Sequence, residues 1–134
     1  MAQKPKNRYV FALKISRRWV SEGRRAVTYA DLNPLHTLFG GRMVEWMDEA
    51  AAIYAACQMK TKYAVTLRIT ELLFKHPVHL HDVLEFKCRS LKRGHTSLTI
   101  EVQVSTILGE SNQVVCTAQF QFVAVDKQGH STSW

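Results

Sequence analysis

The chain has 134 residues, 46% of them hydrophobic, and carries a formal net charge of +7. That is enough for one compact domain with a real core, which excludes a disordered chain, and no apolar run approaches the roughly 20 residues of a membrane span. The basic surplus suits a polyanionic partner: nucleic acid, an anionic membrane surface or a phosphate-rich small molecule.

Residues 1–7 read as a short basic tail with no signal-peptide apolar run behind it. In residues 9–20, Phe11, Leu13 and Ile15 alternate as in a strand, and Ser21, Glu22, Gly23 and Arg24 read as a turn. A polar segment from Asp31 through Asn33 and Pro34 leads to Gly40 and Gly41, and a helix is predicted over residues 39–57. Its apolar stripe is Phe39, Met43, Trp46, Met47, Ala50, Ile53, Tyr54 and Cys57, while Arg42, Glu45 and Glu49 form a charge-paired edge. Asp48 belongs to neither group: its helical neighbours Val44, Ala51, Ala52 and Ala55 are small and apolar. A carboxylate in such a setting is costly unless it is paired or used.

After the helix the period changes to two. Strands are predicted over residues 63–74, 83–91, 96–108 and 114–125, separated by His76 to Asp82, by Lys92 to His95 and by the turn from Gly109 to Gln113. Short links between the last three make antiparallel neighbours. Residues 128–134 are polar and are expected to be loose. The three cysteines, Cys57, Cys88 and Cys116, are far apart in apolar contexts and read as core residues of a chain in a reducing cytosol. The sum is a single α+β domain over residues 1–134, with residues 1–7 and 128–134 as tails. A helix apolar round most of its girth needs a curved antiparallel sheet on one side and a second copy of the chain on the other.

The layout and its motifs resemble the hotdog-fold acyl-CoA thioesterases, in particular the bacterial acyl-CoA hydrolases and the cytosolic long-chain acyl-CoA hydrolases. The resemblance rests on Asn33, Phe39-Gly40-Gly41 and Met47-Asp48-Glu49-Ala50. It continues in Thr66-Leu67-Arg68, Phe74-Lys75-His76-Pro77-Val78, the run Lys92 to Ser97 and the run Phe122 to Asp126. It covers about residues 31–126, and order and spacing carry it rather than any one motif. Members of that family often have glycine where this chain has His36 and His81, which leads one to expect both loops to be shaped differently here.

What the resemblance implies is a cytoplasmic hydrolase, active as a homodimer or a trimer of dimers, that cleaves acyl-CoA to fatty acid and coenzyme A without a further cofactor or metal. Asp48 would be the catalytic carboxylate, acting as a base on water or attacking the carbonyl itself. Asn33 would orient water or thioester, although Asn33-Pro34 is equally good turn chemistry. Gly41 would offer a helix-start amide to the oxyanion, unless the two glycines merely allow tight packing. Thr66 would bond within the site, unless it is only a strand former. Arg68, Arg93, Thr96 and Ser97 would hold the coenzyme A phosphates, with Lys92 more simply a solvated turn residue.

Helix geometry adds a constraint of its own. Gly41 and Asp48 lie seven residues apart, roughly 10 Å along the axis, so one thioester carbon can meet both only if they come from two protomers. The spacing of His76, His79 and His81 could suit a metal, but no cysteine is near and a surface loop is the better reading. Two rivals stand: an acyl-CoA or lipid-binding module without turnover, and a basic nucleic-acid-binding domain. The second would interleave aromatics with basic residues on an open sheet face, whereas Phe86, Phe120 and Phe122 share their faces with Leu, Val and Cys.

Overall fold

The structure, a computed structural model, describes residues 15–110 and 112–134. Strand β1 spans Val20–Ala26, and a 3-10 turn, Tyr29–Asp31, leads to α1, Gly40–Met59, the one α-helix among the described residues. Four strands follow: β2 Ala64–Phe74, β3 Val83–Arg93, β4 Ser97–Ile107 and β5 Gln113–Ala124. The sheet is antiparallel throughout in the order β1-β3-β4-β5-β2. This is the predicted α+β arrangement, with the sheet laid along one long helix.

Period-two alternation puts Leu84, Phe86, Cys88, Leu98, Ile100, Val102, Val104, Phe120 and Phe122 on the helix side, all buried. Each such side chain contributes about 1.5–3 kcal/mol by leaving water. A buried hydroxyl pair, Tyr54 Oη and Ser90 Oγ, lies 2.9 Å apart and satisfies itself.

Helix α1 starts at the two glycines and stops where Lys60 turns left-handed, at φ 55°, with its N–H on the Ala56 carbonyl. The buried band differs from the predicted stripe. Met43, Trp46, Met47, Ala50 and Tyr54 are buried as expected, but so are Ala51, Ala55 and Met59, while Phe39, Ile53 and Cys57 are exposed. Alanine lets the sheet approach the helix backbone closely, so the sheet seats itself on the alanine side of the stripe. Asp48 falls at the rim of that band, half-buried.

Three further expectations are corrected. Residues 9–14 of the predicted first strand lie outside the described residues, and residues 15–19 form no strand. The strand is Val20–Ala26, through the predicted turn, because Gly23 (φ 129°) sits in a bulge between the Ser21–Lys87 and Arg24–Glu85 pairs. Residues 128–134 are tied down, not loose: Val125 bridges Ser131 and the Thr132 N–H donates to the Ala124 carbonyl at 2.9 Å. The third concerns the two histidines. His36 (φ 63°) and His81 (φ 69°) both adopt the left-handed conformation that glycine favours, so neither loop is reshaped away from it.

That conformation costs a non-glycine residue about 1–2 kcal/mol, against the 0.5–1 kcal/mol of extra chain entropy that glycine loses on folding. His81 is exposed, and its backbone N–H bond to the Val27 carbonyl (3.0 Å) survives substitution. His81→Gly is therefore expected to unfold in urea with unchanged or slightly raised stability, by at most about 1 kcal/mol. His81→Val, β-branched at a positive φ, is expected to lose more than about 1 kcal/mol.

Candidate active site

Asp48 meets one polar partner among the described residues. Thr66, on β2, donates its hydroxyl to Asp48 Oδ1 at 2.7 Å. Thr66 pairs with Phe122, a core residue, so its side chain is on the helix side; a bulge at Leu67 then turns Arg68 to pair with Gln121 on the outer face. The bond fixes the carboxylate and leaves Oδ2 open. The sequence singled out both residues, and the structure brings them together.

At the other end of the site, the turn before α1 is built by Asn33. Its Oδ1 accepts from the amides of Leu35 (2.9 Å) and Thr37 (3.1 Å), and its Nδ2 donates to Thr37 Oγ1 at 2.9 Å. Asn33 is thus the turn residue its sequence allowed, with one amide hydrogen left over. Asp31 secures the same segment. Its carboxylate accepts from the Thr28 N–H and hydroxyl, faces Arg42 Nε at 3.4 Å, and its carbonyl takes the Phe39 N–H. The Thr28-x-x-Asp31 spacing of a capping box was the signal for this role, which the sequence reading did not assign.

The helix start carries no side-chain cap, and the Met43 N–H is bonded to the Phe39 carbonyl at 3.0 Å, one turn in. The preceding amides, Gly40 and Gly41 among them, have no intrahelical partner and lie at the positive end of the helix dipole. The two glycines differ. A side chain at Gly40 would press on the Phe74 ring at 3.4 Å, so tight packing accounts for Gly40. At Gly41 a Cβ would meet nothing within 4 Å and the φ is ordinary, so nothing among the described residues of the protomer requires a glycine there. Beside this start lies a cleft of about 280 Å³ lined by Thr37, Leu38, Gly40, Met43, Phe74 and Lys75 with residues 76–78. Asp48 is not part of it.

The four residues expected at coenzyme A are not one cluster within a protomer. Arg93 and Ser97 meet at the β3–β4 turn, next to Thr96, where Trp134 lies against both. Arg68 is on β2, three strands or roughly 14 Å across the sheet, in the row Lys92–Thr99–Gln121–Arg68. Among the described residues no three His, Cys, Asp or Glu side chains gather as a metal site. Burial, with the Glu22 carboxylate adding to it, pushes the Cys88 thiol up to about 12. Burial pushes Cys116 up to about 11 against a bond to the Thr117 backbone. Neither supplies a thiolate near neutral pH.

A long helix seated along an antiparallel sheet is the hotdog arrangement, and the Thr-held carboxylate and uncapped glycine amides on that helix are its candidate site. The profile of the Thioesterase superfamily matches residues 35–110, and the chain belongs to that family. It is 34% identical to the acyl-CoA thioester hydrolase YciA of Salmonella typhimurium over 106 residues, 75% of this chain and 78% of that one. Among solved structures, the hexameric thioesterase y2039 from Yersinia pestis superposes with a TM-score of 0.81 at 30% identity, over 85% of this chain and 93% of that one. An acyl-CoA hydrolase from Staphylococcus aureus, solved with butyryl coenzyme A and coenzyme A, gives 0.80 at 26% identity, over 89% and 73%.

The contrast between the glycines yields a test. Gly41→Ala adds a helix former where the protomer has room, so stability is expected to hold or rise by up to about 1 kcal/mol. Thioester turnover is expected to fall at least about tenfold, because the methyl group lies where the reacting carbonyl must approach. Unchanged turnover in the folded variant would remove Gly41 from the site.

Proposed function

We propose that this chain hydrolyses acyl-CoA thioesters to fatty acid and coenzyme A, at a site shared by two copies in a dimer or a trimer of dimers. The observation that carries the proposal is the Thr66–Asp48 bond at 2.7 Å on the same helix as an unexplained, uncapped Gly41. The comparisons support the substrate class, since the relatives carry the name acyl-CoA thioester hydrolase.

In this reading Asp48 Oδ2 takes a proton from water as the water oxygen attacks the carbonyl carbon. The Gly41 N–H of the other copy donates to the developing oxyanion, and coenzyme A leaves as its thiol with the proton Asp48 gained. Direct attack by the carboxylate, forming a mixed anhydride that water opens, uses the same free oxygen. Asn33 holds the turn that sets the helix start and has one N–H for the thioester or water. Arg68, Arg93, Thr96 and Ser97 hold the phosphates of coenzyme A, contributed by both copies. The reaction needs neither metal nor further cofactor, and the protein works in the cytoplasm. No helix among the described residues is long and apolar enough to cross a membrane.

The second copy has a physical basis. The two sheet edges differ: β1 carries Glu22, Arg24, Arg25 and a bulge, the usual protection of a free edge. Edge β2 carries Val65, Leu67, Ile69, Leu72, Leu73 and Phe74, each 37–60% exposed. An apolar edge strand beside exposed Ile53 is a surface that water disfavours and a second copy would cover.

Free-thiol release from short-, medium- and long-chain acyl-CoAs tests the reaction. Asp48→Ala is expected to fold and assemble as the wild type does and to lose about 10²–10⁴-fold in kcat, the worth of a positioned acid–base group. A folded wild type inert toward the whole panel would overturn the hydrolase reading in favour of a binding module. Leu67→Asp places a charge in the proposed interface; it is expected to elute as a smaller species and to lose turnover together with assembly. Full turnover by a monomer would sink the shared site.

A further inference from the structure

Residues 125–134 form a strap that ends on a residue of the proposed coenzyme site. Asp126 Oδ1 accepts from the amides of Gln128 and His130, both at 2.9 Å, and the Asp126 N–H donates to the His130 carbonyl at 2.8 Å. Gly129, at φ 89°, turns the chain, and Val125–Ser131 pairing with the Thr132–Ala124 bond lays the return against the end of β5. This delivers Trp134 to the β3–β4 turn, where it packs against the core. Its indole Nε1 donates to the Ser97 carbonyl at 3.0 Å, and the same carbonyl accepts from the Gly94 N–H at 2.8 Å. The Arg93 guanidinium carbon lies 3.7 Å from the ring centroid, and Arg93 also donates to the Trp134 main-chain oxygen.

We infer that Trp134 is a positioning residue for nucleotide recognition: it holds the Arg93 guanidinium, stacked and oriented, for the phosphates of coenzyme A. The inference rests on the assignment of Arg93 to coenzyme A in the proposed function. A guanidinium has two faces and five N–H donors. Trp134 occupies one face and one donor, leaving an open face and four donors, so the stacking orders the group without consuming it. An unsupported arginine at a hairpin turn would lose considerable rotamer freedom each time it bound a phosphate, and the strap removes that loss in advance. The contact to Ser97 fixes the same turn, so Arg93, Thr96 and Ser97 are braced as one unit.

The test compares Trp134→Ala, Trp134→Phe and Arg93→Ala on an acyl-CoA and on the matching acyl-pantetheine, which has the thioester but no nucleotide. Trp134→Ala is expected to raise KM for acyl-CoA roughly three- to tenfold with kcat within about twofold, and Trp134→Phe to recover most of the loss by restoring a ring face. The acyl-pantetheine constants are expected to stay put, whereas a general loosening of the fold would damage both substrates alike. If Arg93→Ala raises KM and Trp134→Ala does not, Trp134 has no positioning role and the inference falls while the assignment of Arg93 stands. A lower KM in Trp134→Ala would identify the strap as a competitor for the site and overturn the inference. If Arg93→Ala leaves KM unchanged, the coenzyme assignment itself fails, and the inference fails with it.

Discussion

An α-helix rises 1.5 Å per residue and cannot be shortened, and the arrangement of this molecule follows from that. Gly41 and Asp48 are fixed by their places in Gly40–Met59, roughly 10 Å apart along the axis. In the proposed reaction each completes the other: one is an uncapped amide with open space in front of it, the other a carboxylate held through one oxygen. No rotamer change closes that gap. In the proposed dimer two helices running past one another would close it twice, with the start of each beside the middle of the other. The β2 edge, apolar and uncovered, is the surface on which such a pairing would form.

The same helix explains why the catalytic candidate lies where it does. The sheet packs on Met47, Ala51, Tyr54 and Ala55, and Asp48 sits at the boundary between that face and the uncovered one. A carboxylate one position further into the band would be buried without water, and one on the Glu45–Glu49 side would face solvent. Glu49 instead meets Arg25 at 2.5 Å and Glu45 meets Arg42 at 3.2 Å, both exposed pairs that contribute little to stability. The rim position allows Thr66 to reach Asp48 from β2 while the second oxygen stays open to a substrate.

Much of this was legible in the chain. Period two in residues 83–125 and the apolar helix after Gly40-Gly41 gave the later strands to within a few residues, because those elements alternate strictly between core and surface. Edge strand β1 was misplaced: its side chains are mostly exposed and show no apolar alternation, and the Gly23 bulge imitates a turn. The strap was missed for a related reason. Its order comes from main-chain bonds to Asp126 and Ala124 and from one terminal aromatic contact, none of which leaves a periodic trace. At the site, residue identity could pick out Asp48 and Thr66. Only the structure could show that Gly40 is explained by Phe74 while Gly41 is not, since that distinction lies in what surrounds each missing side chain.

Charge placement bears on the rivals that composition left open. The outer face of the central strands is largely neutralised within itself: Glu85 lies 3.7 Å from Arg24 and 3.8 Å from Lys87, and Arg89 pairs with Glu101 at 2.7 Å. Phe86, Phe120 and Phe122 are buried against the helix, and Trp19, beside that face, is already stacked by the Arg89 guanidinium, 4.5 Å from its ring centroid. Lys60, Lys62, Arg68, Lys92 and Arg93 have no acidic partner among the described residues, and they sit at the end of the helix, on β2 and at the β3–β4 turn. A continuous polyanion would need a continuous basic track, which paired acidic groups interrupt here. A small ligand with a few phosphates needs only two or three cations at separated points and an apolar cleft for the rest of the molecule. The charge pattern therefore favours the acyl-CoA reading over a nucleic-acid surface, on grounds independent of Asp48.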